Sequence, residues 1–210
     1  MFFPFVGTGK YNDEQGSTLE IKCKDCGKGR YSDAVAVVSN GACIECIKGK
    51  YADTEGLTTA DECLVCAKGL YGDQAGRSRA NHYAHGCKSC ASGKWSAATG
   101  LVAANLCTEC GLGKWSSAYG QTDEATCQNC PLGKWSNSVG RTSQNCNLCS
   151  LGRFGDSTGL TTGTDCSLCP IGRYGENAGL TSAYTGTLRC SPCKFTFFIK
   201  FNQVTQNTLN

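Results

Sequence analysis

Eighteen cysteines fall into nine Cys-x-x-Cys pairs with none left over, and the pairs recur about every twenty residues from Cys23 to Cys193. A fixed period of that length marks a repeat array and outranks any local propensity. Each interval holds about one large aromatic and a few aliphatics. That is too little apolar surface to offset the entropy of ordering the interval. Covalent bridges or metal ions must therefore replace a hydrophobic core, as in other core-poor modules.

The stretch from Cys130 to Cys149, CPLGKWSNSVGRTSQNCNLC, shows the unit. Gly133, Lys134 and Trp135 follow the opening Cys, Gly140 marks a turn, and Cys146 and Cys149 close the unit. Residues 1–8 lie outside the pattern, and residues 9–26 form a partial unit 1. Units 2 to 9 span 26–46, 46–66, 66–90, 90–110, 110–130, 130–149, 149–169 and 169–193, and 194–210 form a non-repeat tail. Val6 stands where later units carry their opening Cys. Unit 2 replaces the second glycine with Ala-Val-Ala-Val-Val. Units 4 and 9 carry four-residue insertions, expected as surface excursions because the frame resumes after each. The first holds His82 and His85, whose spacing matches no common metal site and reads as exposed polar surface.

Each unit reads as two short extended pieces joined by a turn, and no unit shows a helical apolar period. The fold class expected is small disulfide-rich repeats, mostly coil with short β-hairpins, in an elongated tandem array, a solenoid or rod. Contacts should run almost entirely within a unit or between adjacent units.

Two chemistries suit the cysteines. C-x2-C-x16-C-x2-C spacing falls within the range of zinc sites, where four thiolates close a tetrahedron. Disulfides fit better. An odd number of pairs strands one pair if they join two by two around zinc, and the uniform period lacks the alternation of in-site loop and linker. If the second Cys of one pair bonds the first of the next, the bridges are Cys26–Cys43, Cys46–Cys63, Cys66–Cys87, Cys90–Cys107, Cys110–Cys127, Cys130–Cys146, Cys149–Cys166 and Cys169–Cys190. Cys23 and Cys193 are then left unpaired by truncation of the array, as Val6 suggests for Cys23. The rival connectivity, first to first and second to second, leaves one whole pair free.

The unit C-x-x-G-[KR]-[YWF]-x-x-x-x-G-x-T-x-x-x-x-C-x-x-C resembles the ephrin-receptor-like cysteine-rich repeat, the domain of ephrin type A and B receptor tyrosine kinases. That repeat is related to growth-factor-receptor and tumour-necrosis-factor-receptor cysteine-rich modules. The resemblance covers Gly9 to Cys193. The family often has Pro after the second Cys, and here only Pro131 and Pro170 do. The resemblance implies an extracellular, disulfide-linked, non-enzymatic module, often in tandem within large surface proteins. It implies neither kinase activity nor a ligand.

The recurring aromatics (Trp95, Trp115 and Trp135 in the Trp units) with Lys94, Lys114 and Lys134 before them suggest a binding stripe for sugars or a polyanion. The plainer reading packs each aromatic against a disulfide and leaves the cations to solubility and edge protection. A net charge of +3 with interspersed signs is not the footprint of a nucleic-acid binder. No run of eighteen apolar residues provides a transmembrane helix, although the parent protein can be membrane-anchored. The opening MFFPFVG lacks the features of a signal peptide, so the secretory pathway is inferred from the cysteines. Acidic residues are scattered with no carboxylate pair at a repeated position, and no cofactor or catalytic site is expected. The function expected is an extracellular structural spacer or protein or glycan interaction module, a fragment of a larger secreted or surface protein. The alternative is an intracellular zinc-binding array used for interaction. A Cys-x-x-Cys oxidoreductase is weaker, because nine equivalent pairs single out no redox site.

Overall fold

The computed structural model describes residues 6–17, 19–80 and 85–194. The tail beyond residue 194, most of the opening 1–8 segment and His82 lie outside the described residues. Among the described residues, nine two-stranded antiparallel hairpins follow one another, one per unit. In unit 7, strand β1 (Lys134–Trp135) pairs with β2 (Asn147–Leu148), so that Lys134 faces Leu148 and Trp135 faces Asn147. The second strand is therefore the pair of residues inside Cys-x-x-Cys. Every unit repeats this register, and in all but unit 4, where Leu70 faces Ser89, a cation lies opposite the residue before the second Cys, as in Arg30 opposite Glu45 and Lys94 opposite Glu109.

The sequence dictates the entry to each hairpin. The Lys134 N–H donates to the Pro131 carbonyl at 3.1 Å across a tight turn whose third residue, Gly133, has φ +74°. That is the type II geometry, which needs a residue tolerant of positive φ. No α-helix occurs among the described residues; single 3-10 turns such as Ala60–Glu62 and Glu124–Thr126 precede the closing Cys in five units.

Eight disulfides join the second Cys of each pair to the first of the next, from Cys26–Cys43 through Cys130–Cys146 to Cys169–Cys190. Cys23 and Cys193 carry free thiols. The bridges themselves are the core: Cys26, Cys46, Cys66, Cys90, Cys110 and Cys130 are all fully buried. Beside them lie the small residues that follow the aromatics, Ser32, Ala52, Ser96, Ser116 and Ser136, all buried. Their hydroxyls stay satisfied locally, as where the Ser138 N–H donates to Ser136 Oγ at 3.2 Å. The aromatics do not carry the packing alone. Only Phe154 among them is buried, and Tyr174 is exposed. Tyr31 packs against the cluster of Cys46, Ala52, Leu57 and Cys63, and Phe154 belongs to the one with Leu180, Ala183 and Cys190.

Units stack through backbone. The Gly113 N–H donates to the Ser136 carbonyl at 2.8 Å, and the Ser116 N–H to the Arg141 carbonyl at 2.9 Å. Trp115 thereby forms a parallel bridge with Arg141, as Trp95 does with Gln121 and Trp135 with Leu160. The stack also reaches one unit further than adjacency. The Gly159 N–H of unit 8 donates to the carbonyl of Cys130, the residue shared by units 6 and 7. A Cβ built on Gly113 of unit 6 would sit 2.2 Å from the Gly159 carbonyl oxygen. The expectation of contacts almost entirely within a unit or between adjacent units is thus corrected: side-chain-free glycines let unit n touch unit n+2 as well. No backbone hydrogen bond among the described residues joins units further apart, and the array is an extended tandem stack.

The insertions form short excursions. In unit 9 Ser182 bridges Arg189 in parallel, and the Thr181 N–H donates to the Leu188 carbonyl at 2.8 Å. In unit 4 Arg79 bridges Gly86, and the carbonyl of exposed His85 accepts the Ser78 N–H.

Candidate functional site

The cations before the aromatics divide into two groups, and for all but Lys114 the division follows from the hairpin register. A carboxylate before the second Cys lies directly across from the cation. Lys10 pairs with Asp25 at 2.7 Å, Arg30 with Glu45 at 2.6 Å and Lys94 with Glu109 at 3.3 Å. Lys114 reaches Glu124 of its 3-10 turn at 2.9 Å. Lys10 is held above its usual pKa, first by the hydrogen bond to Asp25. Carboxylates therefore do recur at one repeat position, in units 1, 2 and 5, where the sequence read as scattered.

In units 3, 7, 8 and 9 that position holds Val65, Leu148, Leu168 and Pro192, and Lys50, Lys134, Arg153 and Arg173 have no ion-pair partner among the described residues. The arginines are aimed by a backbone bond instead. Arg153 Nη1 donates to the Cys166 carbonyl at 2.6 Å and Arg173 Nη1 to the Cys190 carbonyl at 2.9 Å, as Arg30 Nη1 does to Cys43 at 2.8 Å. Of the stripe read from the sequence, then, Lys94 and Lys114 are neutralised and Lys134 is not.

The three Trp also differ. The indole N–H groups of Trp95 and Trp115 are buried without a hydrogen-bond partner, whereas Trp135 Nε1 donates to the Leu148 carbonyl at 3.2 Å. Trp135 floors a groove of about 410 Å³ between units 7 and 8. Asn137, Leu148, Ser150, Arg153 and the Thr162, Gly163 and Thr164 turn complete its lining. Gly163 stands three residues before its closing Cys, where units 3, 5 and 6 place Ala60, Ala104 and Glu124. A Cβ there would lie 3.3 Å from the Trp135 ring, so the glycine keeps the indole uncovered by a side chain. Asp165 below this turn accepts the N–H groups of Thr161 and Thr162, each at 2.9 Å. Those bonds, the one from Thr162 first, hold its pKa at about 2.

A second groove, about 580 Å³, occupies the same repeat position between units 4 and 5. Tyr71 is its floor, with Tyr119, Lys88 and Lys94 around it. Both ammonium groups there are answered: Lys88 by Asp73 at 2.8 Å and Lys94 by Glu109. Asp73 also holds buried Arg77, and its pKa is lowered, first by the bond from Lys88.

Sixteen cysteines are oxidised and offer no thiolate to zinc, and no group of three His, Cys, Asp or Glu among the described residues could hold a metal ion. No helix among the described residues is long and apolar enough to cross a membrane. The fold and its bridges define the class: a tandem array of disulfide-stapled hairpins of the kind built in oxidising, extracellular-type compartments. No family model matches the chain, and no curated protein does.

Proposed function

We propose that the chain is an extracellular, non-enzymatic cysteine-rich repeat region of a secreted or surface protein, serving as a spacer and as a contact surface for a protein or glycan. The ephrin-receptor-like assignment belongs to this proposal and rests on the repeated sequence motif. One observation carries the reading: every full unit is closed by its own disulfide, so the array holds its shape only where thiols are oxidised. The residues at repeated positions serve the stack, which suits a scaffold that displays surface rather than one that assembles a catalytic centre. Mass spectrometry of the native protein under non-reducing conditions tests it. The expected result is sixteen oxidised cysteines, Cys130 joined to Cys146, and no metal. Bound zinc, or Cys130 joined to Cys149, overturns it.

A further inference from the structure

We propose that the groove between units 7 and 8 binds an anionic saccharide, with Trp135 as the stacking platform and Arg153 as the contact for a carboxylate or sulfate. This rests on the reading of the array as an extracellular contact module and names the ligand class of one site on it.

The argument begins with charge. Arg30 occupies in unit 2 the place of Arg153 in unit 8, and both guanidinium groups are fixed by the carbonyl of the following Cys. Arg30 then completes its pairing with Glu45. Arg153, which lines the groove, has Leu168 across the hairpin and no ion-pair partner among the described residues. A guanidinium held by one bond and open on the other donors is preset for a planar or tetrahedral oxyanion. Asp165 accepts from Thr161 and Thr162 and forms no ion pair with Arg153 among the described residues.

The rest of the groove selects the body of the ligand. An indole offers a broad apolar face with an electron-rich surface. Asn137 and Ser150 line the groove with amide and hydroxyl groups that make no side-chain hydrogen bond among the described residues. A pyranose presents a C–H face to the ring and hydroxyls to Asn137 and Ser150. A peptide anchored by apolar side chains would need an enclosed hydrophobic pocket, and Leu148 is the only aliphatic lining residue here. The groove between units 4 and 5 is an internal comparison. It has an aromatic floor and two ammonium groups, but both already hold carboxylates.

The test is titration calorimetry on the full chain, after non-reducing mapping has confirmed the eight bridges. The probes are a hyaluronan hexasaccharide (carboxylate only), a heparin hexasaccharide (sulfate and carboxylate) and a neutral cellohexaose. Binding of one or both anionic probes that weakens with salt, with at least tenfold weaker binding of cellohexaose, is expected. Which anionic probe binds distinguishes carboxylate from sulfate recognition. Leu168→Glu installs the partner that Arg30 already has, at an exposed position, and should cost tenfold or more in affinity. Trp135→Tyr, a residue that five other units use at this position, should weaken binding several-fold, and Trp115→Tyr should leave it unchanged. Equal binding of the neutral probe, no binding of either anionic one, or full affinity in a Leu168→Glu protein with intact bridges overturns the inference. If the bridges are absent from the starting protein, the extracellular reading fails instead.

Discussion

Glycine at 113 meets two separate demands, and substitution can tell them apart. Its φ of +68° disfavours any side chain, and its place against the Gly159 carbonyl leaves no room for one. Gly16 has a similar φ of +76° with nothing within 4 Å of a built Cβ. Gly16→Ala should therefore cost only the left-handed conformation, about 1 kcal/mol. Gly113→Ala should cost that plus the displacement of unit 8, together about 3 kcal/mol or more. Amide hydrogen exchange checks this: protection should fall in units 6 and 8 together for the second variant. Asp165 gives a pH dependence at the same scale. Its pKa, about 2 in the fold against an ordinary 3.8, is depressed, so the bonds from Thr162 and Thr161 contribute fully above about pH 4. They are lost as pH falls through the folded value. A carboxyl titration by NMR should find Asp165 ionised down to about pH 2, with Thr161 and Thr162 amides exchanging faster below it.

The hairpin is the element, and its outline is readable from spacing alone. A glycine, a cation and an aromatic at fixed distance from each Cys mark the first strand, and Val6, with the whole pair that the rival order would leave free, favours the second-to-first order of bridges. The partner of each cation was not readable, because it depends on cross-strand register. Only once the two residues inside Cys-x-x-Cys become a strand does Glu45 face Arg30 while Leu168 faces Arg153. The distinction between Trp135 and the other two indoles was equally hidden, since it turns on Gly163, a residue of the next unit. The approach of unit 6 to unit 8 depends on the pitch of the stack, which no single repeat encodes. At this scale, replacing both Cys130 and Cys146 by Ser should cost about 3 kcal/mol, the usual value for opening a loop of this length. Hydrogen exchange should show the loss concentrated in unit 7. A loss spread evenly from unit 2 to unit 9 would mean that the bridges do not act locally.

Across the whole molecule, the ladder of bridges has a mechanical consequence. A pull applied to the two ends need not pass through the loops. It runs through a disulfide, along the short Cys-x-x-Cys segment, and into the next disulfide. Each bridge spans 5.8–6.0 Å between Cα atoms, and eight of them lie in series between Cys26 and Cys190. With three residue steps between successive bridges, the taut covalent path is about 120 Å, against roughly 560 Å for the same segment without bridges. Single-molecule stretching should reach the shorter limit under oxidising conditions, with the hairpins' hydrogen bonds broken but little length released. Adding a reductant under load should lengthen the molecule in steps, each freeing one loop. Oxidised, the array is a tether of fixed length that transmits tension without paying out slack, and the redox state of its surroundings sets how far apart it can hold what is attached to its ends.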